Sequence, residues 1–106
     1  HAVVLATVGA PIRLLTLDHV SYVRSIGIAP FYPNGSDELA DSAADLLREH
    51  NCVVMKHHGC SVVAESVSMA YRRALNLEDA AKATALALQL GDTRTVFPAG
   101  VDAHHA

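Results

Sequence analysis

The stretch VVMKHHGCSVV, residues 53–63, sets two runs of β-forming residues on either side of two adjacent histidines and a glycine. Val53, Val54 and Met55 read as one strand and Val62 and Val63 as part of a second, so the middle reads as a turn between them. Lys56, His57 and His58 then lie at the exit of the first strand, and Gly59 is expected to supply backbone freedom at the bend. A strand end is a rigid mount for an imidazole that holds a metal or moves a proton. Alternation along an extended chain sends His57 and His58 to opposite faces, so only one of them enters a given site.

Working outward, Ser36 is placed to cap a helix, with Asp37 and Glu38 at its positive end. Leu39, Ala43, Leu46 and Leu47 form its apolar stripe, which predicts a helix over 37–49. NCVVMK is the strand that follows, and CSVVAE is its partner beyond the turn. Ser66 begins the longest predicted helix, in which Ala70, Ala74, Leu77, Ala81 and Leu88 recur on one face, Glu78 and Lys82 pair on the wetter side, and Gly91 is the stop. Upstream, residues 26–31 read as a short strand ended by YPNGS, and Leu17, Val20 and Tyr22 or Val23 fall at helical spacing. Residues 2–8, AVVLATV, suit either a buried strand or one to two turns of helix. This order gives an α/β domain in which a sheet is covered by helices. Residues 92–106 have no usable periodicity and read as a tail. Within it His104 and His105 are either a chelating pair or part of a solvated terminus, the second being favoured.

A chain of 106 residues accommodates one domain with a modest core. Its net charge of −3 provides no basic field for nucleic acid. The most apolar segment, residues 80–90, is interrupted by Lys82, Thr84 and Gln89, which argues against a membrane span. Cys52 and Cys60 are the only cysteines and could face each other across the hairpin; the expectation is a reduced, cytoplasmic setting with two small buried thiols rather than a disulfide. The chain starts at His1, without methionine, and runs directly into an apolar stretch, so it is expected to be the C-terminal portion of something longer.

Seven histidines are a generous supply for this length. His19 and His50 have polar neighbours and read as surface residues, whereas His1 has no evident surface role. A zinc site needs imidazoles or thiolates in roughly tetrahedral array, for which His1, His57 or His58, Cys60 and the terminal pair are candidates. None has zinc-finger spacing, and a hydrogen-bonded structural histidine competes with each. There is no phosphate-cradling glycine loop, HHGCS lacks the strained elbow of a serine hydrolase, and a Cys60 nucleophile beside His58 has little to support it.

Three segments together resemble the class II aldolase and adducin family over residues 1–91. HAVVLATVGAPI is similar to the segment that follows the family's His-x-His pair, with His1 as the second histidine. IAPFYPNGSDELADSAADLL resembles its proline, glycine-serine and Glu-Leu-Ala stretch. The region from Val53 to Gly91 is similar to its strand ending in His-Gly, second strand, and long helix with a central Leu-Glu pair. The resemblance implies a class II aldolase-type layered sheet flanked by helices, incomplete at the N-terminus. Residues 1–91 would be the C-terminal portion of that domain and 92–106 a tail. It implies His1 and His58 as ligands of Zn2+ or another divalent metal, with the catalytic acid-base group and the phosphate-binding residues upstream of His1.

The activity implied is a metal-dependent lyase that cleaves a ketose 1-phosphate such as L-fuculose 1-phosphate to dihydroxyacetone phosphate and an aldehyde. The metal would polarise the ketose carbonyl and its neighbouring hydroxyl. The implied partners are a small sugar phosphate and further copies of the chain in a homotetramer, with no nucleic acid and no membrane. A sugar-phosphate 4-epimerase or decarboxylase on the same scaffold, and a non-catalytic adducin-like interaction module, are the alternatives.

Overall fold

The computed structural model describes residues 1–98. Its elements, in chain order, are α1 (Ala2–Thr7), α2 (Leu17–Tyr22), β1 (Ile26–Ala29), α3 (Asp37–Leu47), β2 (Cys52–Met55), β3 (Gly59–Val62) and α4 (Val67–Gln89). The ambiguous residues 2–8 are helical, and the two hydrophobic patterns assigned to strands around the histidine turn are strands. His104 and His105 lie outside the described residues.

The sheet has the order β1-β2-β3. β1 and β2 are parallel, joined through α3, whereas β2 and β3 form the antiparallel pair around the turn. β2 is central and buried along its whole length, which is why CVVM shows no alternation in sequence. Its side chains nevertheless divide between two cores. Cys52 and Val54 face α1 and α4, packing with Ala2, Leu5, Ala6, Val23, Leu77 and Ala81. Val53 and Met55 face α3, packing with Ala29 and Leu39, and with Ala43, Leu46 and Leu47 around them. The resulting arrangement is α/β, a small sheet with helices on both faces.

The helix signals hold, with adjusted ends. Ser36 accepts from the Leu39 amide and Ser66 from the Met69 amide, each satisfying a first-turn N–H that would otherwise be unpaired. α3 stops two residues short of the expected Glu49. The buried face of α4 is corrected: it runs through Arg73, Leu77, Ala80, Ala81 and Thr84, while Ala70 and Ala74 are half-buried and Leu88 is 36% exposed. Twenty-three residues at 100° each drift too far for one strict i, i+4, i+7 ladder to stay on the sheet. The face turned away from the sheet carries exposed Tyr71, Leu75 and Leu86.

Two anchors secure the periphery. Thr84 is fully buried; its hydroxyl oxygen accepts from the Arg13 amide at 2.9 Å and donates toward the Ala80 carbonyl at 2.8 Å. Arg13 in turn donates to the carbonyl oxygens of Asp92 at 2.7 Å and Thr95 at 3.1 Å, and the Phe97 amide donates to the Leu14 carbonyl at 2.8 Å. The segment following Gly91 is therefore tied, at its start, to the connection between α1 and α2.

Candidate metal centre

β1 and β2 run parallel and end side by side, at Ala29 and Met55. Beyond them, the Lys56 amide donates to the Ala29 carbonyl at 3.1 Å and the His58 amide closes the turn onto the Met55 carbonyl at 3.1 Å. His57 adopts a left-handed backbone, φ 62°, and Gly59 does not. The expected role of Gly59 at the bend is thus corrected: Gly59 opens β3 opposite Met55, and a non-glycine residue bears the strained conformation. Two contacts hold it there. The His57 amide donates to Thr7 Oγ1 at 2.9 Å, and its ring stands edge-on to Phe31, with centroids 5.6 Å apart at 84°. Because these residues form a turn, strand alternation does not separate His57 from His58; both are exposed. Among the described residues the His58 imidazole has no hydrogen-bond or ion-pair partner, which leaves it available to a ligand at the carboxyl ends of the two parallel strands, where open α/β sheets place their sites.

His1 lies at the start of α1. Its Nδ1 is 2.8 Å from Glu78 Oε2 on α4, and the Ala2 amide donates to Glu78 Oε1 at 3.0 Å. Glu78 is thereby engaged with α1, in place of the surface pair with Lys82 that its spacing suggested. Burial pushes its carboxyl upward, while the Ala2 N–H and the Lys82 ammonium pull it down. A carboxylate on Nδ1 orients the ring and leaves Nε2 as the outward nitrogen, the arrangement typical of a metal-binding histidine.

His1 and the histidine turn are both tied to α1, His1 at its start and His57 through Thr7 at its end. Thr7, which touches the turn, is six residues from His1, about 9 Å along a helix axis. Among the described residues no group of three or more histidine, cysteine, aspartate or glutamate side chains is gathered closely enough to hold a metal ion. The donor chemistry of an imidazole suits a zinc-like cation, which leaves His1 and His58 as candidate donors.

His19 and the cysteines depart from expectation. His19 has no exposed surface. Its Nδ1 accepts from the Leu15 amide at 3.1 Å and the Thr16 amide at 3.2 Å, and Nε2 lies 2.7 Å from Asp79 Oδ2. Thr16 accepts in return from the His19 amide, so His19 occupies the position usually filled by Glu or Gln in a capping box. Thr16 followed three residues later by a hydrogen-bonding side chain was a signal available in the sequence; the partner Asp79 was not. His50 is half-buried, with Nδ1 2.8 Å from Ser25 Oγ. Both cysteines are free thiols, but they do not face each other: Cys52 pairs with Val62 and Cys60 with Val54, and Cys60 is exposed.

The family model described as Class II Aldolase and Adducin N-terminal domain matches residues 1–85. An L-fuculose phosphate aldolase of Methanocaldococcus jannaschii is 32% identical over 84 residues, covering 79% of this chain and 45% of the relative. Among solved structures, an L-fuculose 1-phosphate aldolase superposes with a TM-score of 0.81 at 26% identity, over 92% of this chain and 46% of its own. The L-fuculose-1-phosphate aldolase of Thermus thermophilus gives 0.70 at 25% identity, over 90% and 53%. The chain thus spans about half the length of the proteins it matches. With the helix-flanked sheet and the histidine turn in place, these matches identify the chain as a member of the class II aldolase and adducin family.

Proposed function

We propose that the protein containing this chain is a metal-dependent lyase that cleaves a ketose 1-phosphate of the L-fuculose 1-phosphate type to dihydroxyacetone phosphate and an aldehyde. The observation that carries this reading is the position of His58, an unpartnered imidazole at the carboxyl ends of two parallel strands, on a fold that superposes at 0.81 on an L-fuculose 1-phosphate aldolase.

His58 and His1 would hold the cation, zinc or another divalent ion, which when bound supplies a Lewis acid for the substrate's carbonyl and hydroxyl oxygens. The chain's own residues do the positioning. Thr7 and Phe31 fix the turn through His57, so that His58 is presented from a rigid loop. Glu78 orients the His1 ring through Nδ1. The third ligand, the acid-base group and the phosphate-binding residues are contributed from outside these residues. On this reading residues 1–91 are the C-terminal portion of the domain and residues 92–106 a terminal extension, and the protein acts in the cytoplasm as a homotetramer. Exposed Tyr71, Leu75 and Leu86 on the outer face of α4 support association between copies.

The test uses the full-length protein, its bound metal measured by mass spectrometry and its products by chromatography. Aldehyde release from L-fuculose 1-phosphate is expected, with zinc content and turnover both lost in His58→Ala. Wild-type zinc in that variant would remove His58 from the site. A C4-epimerised sugar phosphate in place of aldehyde would move the assignment to an epimerase.

A further inference from the structure

We propose that a second cleft, bounded by the end of β3, the C-terminus of α2 and the first turns of α4, binds a phosphate group. It is lined by Arg24, Asn51, Val63, Ala64, Glu65 and Arg73 and encloses about 330 Å³. Arg73 is 7% exposed. Its Nε donates to the Tyr22 carbonyl at 2.6 Å and Nη1 to the Val63 carbonyl, leaving Nη2 without a protein partner. Among the described residues no carboxylate pairs with this guanidinium. A buried cation with no counter-ion is unfavourable unless something supplies the missing charge.

The free nitrogen is also accessible. No buried side-chain nitrogen or oxygen among the described residues lacks a hydrogen-bond partner, so Nη2 is not sealed in and opens on the cleft that its side chain lines. Arg24 adds a second guanidinium to the lining. It sits just past the end of α2 with a left-handed backbone, φ 64°, and its side chain has no partner among the described residues. Asn51 contributes an amide. Glu65 is the only acid in the lining, so the cleft carries a net charge of +1 in a chain whose overall charge is −3. Two forked guanidiniums and an amide match the several oxygens and double charge of a phosphate group better than any neutral ligand.

This cleft is separate from the histidine turn. Asn51 precedes β2 and Lys56 follows it, so the two lie beyond opposite ends of a four-residue strand, about 16 Å apart. The inference therefore stands whether or not the lyase reading does.

Inorganic phosphate titrated into the full-length protein at constant ionic strength, followed by amide NMR shifts, tests it. Shifts are expected at Arg24, Asn51, Ala64 and Glu65. Arg24→Asn, in which the new residue tolerates the left-handed backbone, should weaken binding by about fivefold or more, and Glu65→Gln should tighten it by about threefold. Both positions are exposed, so the fold is expected to survive each change, and the unliganded spectrum of each variant checks this. Absence of shifts at tens of millimolar phosphate, an unchanged affinity in Arg24→Asn, or equal shifts produced by acetate would each overturn the proposal.

Discussion

His19 Nε2 lies 2.7 Å from Asp79 Oδ2, across sixty residues of sequence. The next residue back along α4, Glu78, holds His1. Adjacent helix positions point about 100° apart, so two neighbouring carboxylates reach two different helices, Glu78 toward α1 and Asp79 toward α2. The middle of α4 thus organises the whole helical layer on that face of the sheet. Because His19 Nδ1 accepts two backbone N–H groups, its hydrogen is on Nε2 and is donated to Asp79.

The two partners of that bond are not equally important. His19 is fully buried, whereas the Asp79 side chain is 67% exposed. Replacing His19 by Ala removes a packed ring and strands the Leu15 and Thr16 amides, an expected loss of about 3 kcal/mol or more. Asp79→Asn keeps an acceptor at a largely solvated position and should cost less than about 1 kcal/mol. Urea unfolding midpoints of the two variants measure this. A larger loss in Asp79→Asn than in His19→Ala would mean that charge, and not the buried ring, secures α2.

Gly27 sits in β1 directly against Leu46 of α3. A Cβ placed on it would lie 2.9 Å from His50 Cδ2 and 3.1 Å from Leu46 Cβ. The Leu46 atom is at the root of its side chain and cannot swing aside, so α3 would have to shift. Gly27→Ala should therefore destabilise the protein by about 1–3 kcal/mol, read as a lowered thermal midpoint. Gly9→Ala is the contrast: nothing lies within 4 Å of its added Cβ, and any cost there comes from its φ of +80° alone.

Most of the fold was legible in the sequence because its elements are defined locally. Ser36 and Ser66 announce their helices through caps, and the apolar runs around the turn announce two strands. The candidate site was suggested only by resemblance. A histidine before a glycine has no local signature that distinguishes a ligand from a turn residue, and His57, not Gly59, took the left-handed conformation because Thr7 and Phe31, distant in sequence, stabilise it. His19 was read as a surface residue for the same reason. Its neighbours Asp18 and Ser21 are polar, and only the approach of α4 buries it.

Asp92 provides a prediction in pH. The Thr95 hydroxyl, then the Arg94 and Thr95 amides, and Arg13 beside it hold its carboxyl far below the usual carboxylate range. A depressed folded-state pKa contributes stability above the unfolded value, near 4, and that contribution is lost as pH falls through the folded value. The thermal midpoint of Asp92→Asn should therefore lie below that of the parent by a constant margin from neutral pH to about 5, and the margin should close in stronger acid. A margin that instead widened with acid would show that Asp92 is not ionised in the folded chain.

The cysteines separate by exposure. Burial pushes the Cys52 thiol up to about 11, against a smaller downward pull from Arg73. Burial and Glu78 also raise Cys60, though it is exposed at the surface of β3. At pH 8 an aromatic disulfide reagent should titrate one thiol per native chain, slowly, and two in urea; Cys60→Ser should abolish the native reaction. The raised pKa of Cys52 has a consequence for alkaline stability. Its neutral form is favoured by the fold, so its contribution is fully present below the unfolded pKa and is lost as pH rises through about 11. Cys52→Ala should remove that part of the alkaline unfolding slope while leaving the reaction at Cys60 intact. Labelling of Cys52 in the native chain at a rate equal to Cys60 would contradict the burial of β2 on which both cores depend.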